Sequence, residues 1–328
     1  MVIGERLKMA RKMAGMSQQD LGEKAGVSRM SISKYERDVN VPRSQVLLKL
    51  AKALDVKIEY LLRPVEVSLS KPMFRKRTAL SKKEENKILE RTRDWVERYL
   101  QVEALFSDTP QFSEPQIKRP IRSLVDVEQA AVQLREAWEL GLDPIDNMTE
   151  VLEKQGIKVW TLDEDISHFD ALVFWANEQI PVIVIKGGVP GDRQRFNLAH
   201  ELGHILLEIA DDVDEEKAAH RFAGAFLVPR QKAFEELGEH RQKLNVQELL
   251  ILKHKYGLSM QAWIYRAKDL GILSESKARE MYIGIRKRNW HVREPGDQVE
   301  AEQSQRMRQL VLRALAENVI SRPRAEEL

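Results

Sequence analysis

Through the first 63 residues, apolar positions recur three and four apart between polar stretches, the spacing of short amphipathic helices. Leu7, Ala10 and Arg11 begin one helix, which Gly15 ends. Ser17 then caps a helix over Gln18 to Ala25, with Asp20 and Glu23 in the first turns, where acids complement the helix dipole. Gly26 breaks that helix, Val27 follows, and Ser28 caps the next one through Tyr35. A fourth helix opens at Ser44, with Val46, Leu47, Leu50, Ala51 and Leu54 on one face. Ile58, Tyr60, Leu61 and Leu62 complete the unit, and Pro64 stops it.

Beyond it, residues 64–82 read as an extended basic linker containing Pro64, Pro72 and the Phe74-Arg75-Lys76-Arg77 cluster. A long polar helix is predicted over 82–105, with Ile88, Trp95, Tyr99 and Leu100 as its main apolar residues. Pro110, Pro115 and Pro120 make 106–120 a loop, and helices return over 125–139 and 146–155. The period then shortens to two, which predicts strands over 157–160, 171–176 and 181–185, the last closed by Gly187-Gly188. Helices over 193–208 and 215–228 flank an acidic turn of Asp211, Asp212 and Asp214. Further helices are expected over 247–256, 260–270 and 275–285, and one in the polar tail over 300–319. The pattern divides the chain into a helical unit 1–63, a connector 64–119, an α+β domain 120–295 and a helical tail 296–328.

Composition narrows the picture. With 328 residues, 43% of them hydrophobic, the chain can build two or three cores and is too apolar for general disorder. No apolar run approaches the roughly 20 residues of a membrane helix, and Met1 to Lys12 lacks the apolar core of a secretory signal. Cysteine is absent, so disulfides and thiolate metal sites are excluded. A cytoplasmic location is expected. The net charge of +2 hides an asymmetry: residues 1–63 carry 13 Lys and Arg against 7 acids, a balance of +6. A basic first fifth points to a local polyanion-binding module.

Candidate chemistry centres on His200-Glu201-Leu202-Gly203-His204. Histidines at i and i+4 leave a helix on one face, so both imidazoles can hold one Zn2+. Glu201, one residue on, sits where it can take a proton from an activated water. The neighbours Phe196, Leu198, Ala199, Leu202, Ile205 and Leu206 suit a helix buried under a sheet, and Gly203 would let another element approach closely. A peptidase zinc needs a third protein ligand and an open position. Nearby candidates are Asp211, Asp212, Asp214, Glu215, Glu216 and His220, and spacing does not choose among them. Arg195 reads as a surface ion-pair residue rather than an oxyanion stabiliser.

The stretch Arg193-Gln-Arg-Phe-Asn-Leu-Ala-His-Glu-Leu-Gly-His-Ile-Leu-Leu207, with Glu216-Lys-Ala-Ala-His-Arg-Phe-Ala-Gly-Ala-Phe-Leu-Val-Pro229, resembles the ImmA/IrrE family of zinc peptidase-like proteins. Weaker likenesses lie at Phe169-Asp170-Ala171-Leu172, Tyr256 to Ala262 and Tyr265-Arg266-Ala267. The resemblance implies a zincin-like metallopeptidase fold, one Zn2+ per chain, and Glu216 as third ligand beside His200 and His204, with Glu201 as catalytic base. This sequence has His220 where the family commonly has Asn, and Val228 where it often has Met; His220 therefore stays a second ligand candidate.

Residues 18–35 have a helix–turn–helix layout in which Leu21, Ala25, Val27, Ile32 and Tyr35 pack the helices together. Ser28, Arg29, Met30, Ser31, Ser33 and Lys34 are left outward, where a helix N-terminus can meet base edges or phosphates. Met16 to Glu36 resembles the Cro/CI-like (Xre) repressors, which implies a phosphate anchor at Gln18, base reading after the cap, and dimeric binding to a palindromic double-stranded operator. The scattered Trp residues read as core, and His168, His240, His254 and His291 have no ligand-spaced partner. Residues 312–328 suit either a partner contact or a frayed end. The chain is thus expected to be a homodimeric regulator, away from membranes, whose peptidase domain acts on a protein partner, a repressor. The competing expectation is an antitoxin-type regulator that neutralises a toxin and uses the zinc domain as a scaffold.

Overall fold

A computed structural model describes residues 3–72, 80–164, 166 and 169–328; Phe74–Arg77 and His168 lie outside them. The first unit holds α1 (Gly4–Met13), α2 (Gln18–Ala25), α3 (Arg29–Glu36), α4 (Ser44–Leu54) and α5 (Ile58–Leu62). Its own core joins Leu7 and Ala10 to Leu21, Ile32, Leu50 and Leu61, all buried. The caps are those the sequence specifies. Ser17 and Asp20 form a reciprocal capping box, Gly26 ends α2 with φ 68°, and Ser28 Oγ accepts from Ser31 N at 3.1 Å.

Residues 64–82 were expected to be an extended basic linker, and over 67–70 the structure instead ties the chain to the fold. Val67 is buried, Leu69 bridges Ala176, and Ser70 N donates to Trp175 O at 2.9 Å. The segment runs along a strand edge, which satisfies its backbone groups. Helix α6 (Lys82–Glu103) then spans the interior behind a capping box of Ser81 and Glu84. It also carries the contact with the first unit. Arg6, 2% exposed, donates to Glu97 at 2.7 Å and to the carbonyls of Arg63 and Pro64, while Lys12 pairs with Glu90 at 3.3 Å.

Next come α7 (Leu124–Ala137), α8 (Met148–Lys154), β1 (Lys158–Leu162), β2 (Ala171–Ala176) and β3 (Ile180–Lys186). The strands form one sheet in the order β1-β3-β2, with β1 parallel and β2 antiparallel to β3. Alternation along the strands splits the core in two. Val159, Val173, Ile183 and Ile185 face one cluster, shared with Leu198, Leu202 and Phe222; Leu162, Leu172, Phe174, Val182 and Val184 face the other, with Trp95 and Tyr99 of α6. The sheet is therefore covered on both faces, which explains why β3 is almost wholly apolar.

The remaining elements are α9 (Gly191–Leu206), α10 (Glu215–Leu227), α11 (Arg230–Leu237), α12 (Val246–Tyr256), α13 (Met260–Asp269), α14 (Glu275–Lys287), α15 (Arg306–Ala316) and α16 (Arg322–Ala325). The architecture is a helical unit, then an α+β region with a small sheet, then helices. The tail helix expected from residue 300 begins only at Arg306. Before it the chain is extended, because Glu302 is used elsewhere: its carboxylate accepts from Met148 N (2.9 Å), Thr149 N (2.7 Å) and Arg195 Nε (2.6 Å). Gln194 grips the same residue's backbone from both sides, accepting from its N–H at 2.6 Å and donating to its carbonyl at 2.8 Å. Among the described residues no helix is long and apolar enough to cross a membrane.

Candidate metal centre and nucleic-acid interface

Helix α9, which carries His200, Glu201 and His204, packs its Leu198, Ala199 and Leu202 into the main core, under the sheet. That burial fixes its rotation and turns His200 and His204 toward α10. Their Nε2 atoms lie 3.1 Å apart. Gly203 admits the second helix: a Cβ there would lie 3.3 Å from Ala219 Cα and 3.2 Å from Phe222. The close approach brings Glu216, in the first turn of α10, over the histidines. Its carboxylate oxygens lie 3.5 Å from His200 Nε2 and 3.7 Å from His204 Nε2.

These three side chains offer ligand atoms all within 4.8 Å of one another, the one such group among the described residues. The donor set fits zinc. Bonds of about 2.0–2.1 Å in a tetrahedron put neighbouring ligand atoms about 3.3 Å apart, and two imidazoles with one carboxylate leave a position open. The other candidates for third ligand fall elsewhere. Asp214 caps α10, accepting from Lys217 N at 3.0 Å. Glu215 approaches the far nitrogen of His204, with Oε1 3.7 Å from Nδ1, on the side where a carboxylate orients a ligating imidazole. His220 lies flat against the cluster, its ring 4.6 Å from that of His200 and 5.6 Å from Phe196.

Glu201 is half-buried beside the triad, and its carboxyl is pushed up to about 8, first by burial and then by the charge of Glu216. Arg195 departs from its expected place on the helix surface. It is 6% exposed and clamps separate parts of the chain, donating to Glu302, to Tyr256 O at 3.1 Å, to Asp146 O at 2.8 Å and to Ile145 O. Position alone could not reveal this, since its charged partner is 107 residues away.

In the first unit, Arg29 and Met30 are exposed at the start of α3, while Ser31, Ser33 and Lys34 are half-buried on its flank. Ser28 spends its oxygen on the cap and meets Ser31 Oγ at 3.0 Å. Gln18 donates to Glu36 at 2.8 Å, and Arg11 holds the same carboxylate through both its Nε and Nη2. An amide has two N–H donors, and this bond takes one. The Arg11–Glu36 pair, missed in the sequence, locks α1, α2 and α3 together.

Two family models match the chain: a helix-turn-helix model over residues 7–61 and the IrrE N-terminal-like domain over residues 152–268. The HTH-type transcriptional regulator ImmR of Bacillus subtilis (strain 168) is 43% identical over 68 residues, 21% of this chain and 54% of that protein. The HTH-type transcriptional regulator SinR of the same organism is 42% identical over 62 residues, 19% of this chain and 56% of its own length. The chain thus matches only about half the length of these relatives. By these matches, the chain joins an Xre-like helix-turn-helix domain to an IrrE/ImmA-like domain.

Proposed function

We propose that this chain is a DNA-binding transcriptional regulator whose second domain is a zinc-dependent endopeptidase acting on a protein partner, a repressor. The observation that carries the reading is the convergence of His200, His204 and Glu216 around one point, with Glu201 on the same helix. Three nitrogen and oxygen donors would hold one Zn2+ per chain. The ion would supply Lewis-acid polarisation of a water and of the scissile carbonyl. Glu201 supplies the proton transfer: its carboxylate takes the proton of the attacking water and returns it to the leaving amine nitrogen. Glu215 and the packing around Gly203 act only to position the histidines and Glu216.

Operator binding is assigned to α3, with Arg29 and Lys34 as phosphate and base contacts, Gln18 as an anchor, and Ser28, Met30, Ser31 and Ser33 at the groove. The basic first unit supports it, and a homodimer on a palindromic duplex is the expected form. Such a regulator works in the cytoplasm.

Two experiments test the reading. Incubating metal-loaded protein with candidate repressors should yield fragments, and Glu201→Gln should cut the rate by about 100-fold or more while leaving zinc content unchanged. Zinc bound, no fragment from any repressor, and regulation unaffected by Glu201→Gln would instead mean a domain that acts by binding, as in an antitoxin. Replacing Arg29 and Lys34 together by Ala should abolish operator gel shifts, and unchanged shifts would remove α3 from the interface.

A further inference from the structure

A cleft of about 730 Å3 opens beside the metal centre. Phe196 and His220 line the end nearest the triad, and Tyr265 of α13 and Trp290 line the other. The His220 ring, which lines the cleft, lies 4.6 Å from the His200 ring. Trp290, read from the sequence as core, is only half-buried here.

The segment that brings Trp290, His291 and Val292 to this cleft is strongly basic. Arg286 to Arg293 holds four Lys and Arg and no acid, and Arg286, Lys287, Arg288 and Arg293, which flank those lining residues in sequence, are all exposed. Cations lie over the aromatic rings as well: Arg288 is 5.2 Å from the Trp290 ring centre and Lys268 is 5.1 Å from that of Tyr265. The acids of the cleft are committed to cations of the fold. Asp192 and Glu294 both pair with the fully buried Lys253, at 3.4 and 3.1 Å, and Asp269 pairs with Arg221 at 3.4 Å. Glu294 also caps α13, accepting from Met260 N at 3.1 Å and Gln261 N at 3.2 Å. What the cleft presents outward is therefore aromatic surface with cations stacked on it, beside the exposed basic segment 286–293.

We infer that this cleft is the docking site for the substrate: an extended, acidic polypeptide segment carrying a bulky apolar side chain. This rests on the endopeptidase reading for the word substrate, though not for the binding itself. The apolar side chain fills the pocket between Phe196, Tyr265 and Trp290, and flanking carboxylates meet the basic segment 286–293. A concave, aromatic-lined pocket accepts side chains and excludes a duplex, and this favours a polypeptide over nucleic acid. The position also suits the chemistry, since His220 lines the cleft and lies against His200.

The test uses the full-length Glu201→Gln protein, so that binding is read without cleavage, and a fluorescein-labelled peptide alternating glutamate and phenylalanine. Anisotropy should report binding that weakens as salt rises, while the same peptide with lysine for glutamate should not bind. Charge reversal on the basic segment (Arg286→Glu, Lys287→Glu and Arg288→Glu together) and, separately, Tyr265→Ala at an exposed ring should each weaken binding about tenfold. Arg29→Ala with Lys34→Ala should leave it unchanged. Absence of binding, or affinity indifferent to both cleft variants, overturns the assignment. So does random-sequence duplex DNA that displaces the peptide and depends on the same cations. If repressor cleavage is found while the peptide result is negative, only the cleft assignment falls. Peptide binding without any cleavage by the wild-type protein would leave the cleft standing and sink the endopeptidase reading.

Discussion

The two functional regions are each built on a helix pair, α2–α3 and α9–α10, yet they are held together in different ways. The first pair is closed by its immediate neighbours: a capping box at Ser17, a left-handed Gly26, the Ser28 cap, and the Arg11–Glu36 pair. The second has a longer turn between its helices, with the Asp214 cap of α10 as a local tie. Its geometry is set by the sheet above α9, by the missing side chain of Gly203, and by Arg195 gripping a glutamate of the tail. A recognition helix needs one rigid face on a small unit, whereas a three-ligand site needs two helices held at a fixed separation. The second demand recruits distant parts of the chain.

Three substitutions would sharpen or break that contrast. The largest effect is expected from Arg195→Ala. It leaves Glu302 buried without its cation and frees the backbone carbonyls that Arg195 bridges, a loss of about 3–5 kcal/mol for a buried pair. Chemical denaturation should show the loss in the metal-site domain, with zinc content falling, while operator binding by the first unit persists. An unchanged midpoint would mean that the tail does not brace the site.

Next is a pH effect at the same tail. Glu153 accepts a hydrogen bond from Ser304 Oγ and is 4% exposed, and burial raises its carboxyl to about 7. Between about pH 4.5 and 7 the unfolded chain releases this proton while the folded one keeps it. Stability from this group is therefore full below that window, falls as pH rises through it, and is flat above, by no more than about 3 kcal/mol. Glu153→Gln should flatten the denaturation midpoint across pH 5 to 8; a slope that survives assigns it to other groups. The smallest effect belongs to the first unit. Ser28→Ala should cost about 1 kcal/mol through the lost cap, with faster amide exchange confined to α3. Exchange spreading into α9 and α10 would contradict the separateness of the two regions.

Legibility in the sequence followed the same division. The helices of the first unit, the three strands and the α9–α10 pair fall where spacing, caps and glycines put them, because those signals act within a few residues. The expected tail helix was too long at its start, since helical spacing from residue 300 says nothing of Glu302 being drawn to the N-terminus of α8. Arg195 looked like a surface residue because amphipathic pattern does not show which polar side of a helix another segment will cover. The basic segment 286–293 was present in the composition, but the cleft beside it draws on five separated stretches of chain and has no linear signature.

The sequence by itself determined the local chemistry: two histidines on one helix face with a glutamate one residue from the first, and a capped, basic helix-turn-helix. It did so because helical periodicity and capping operate over one or two turns. Spacing left the third acid open and only the resemblance pointed to Glu216; the tertiary structure brings it to the histidines, and it alone decided what braces them and which surface lies beside them. Those outcomes depend on how helices pack around the sheet and on bonds between residues a hundred positions apart, and spacing along the chain carries no record of either.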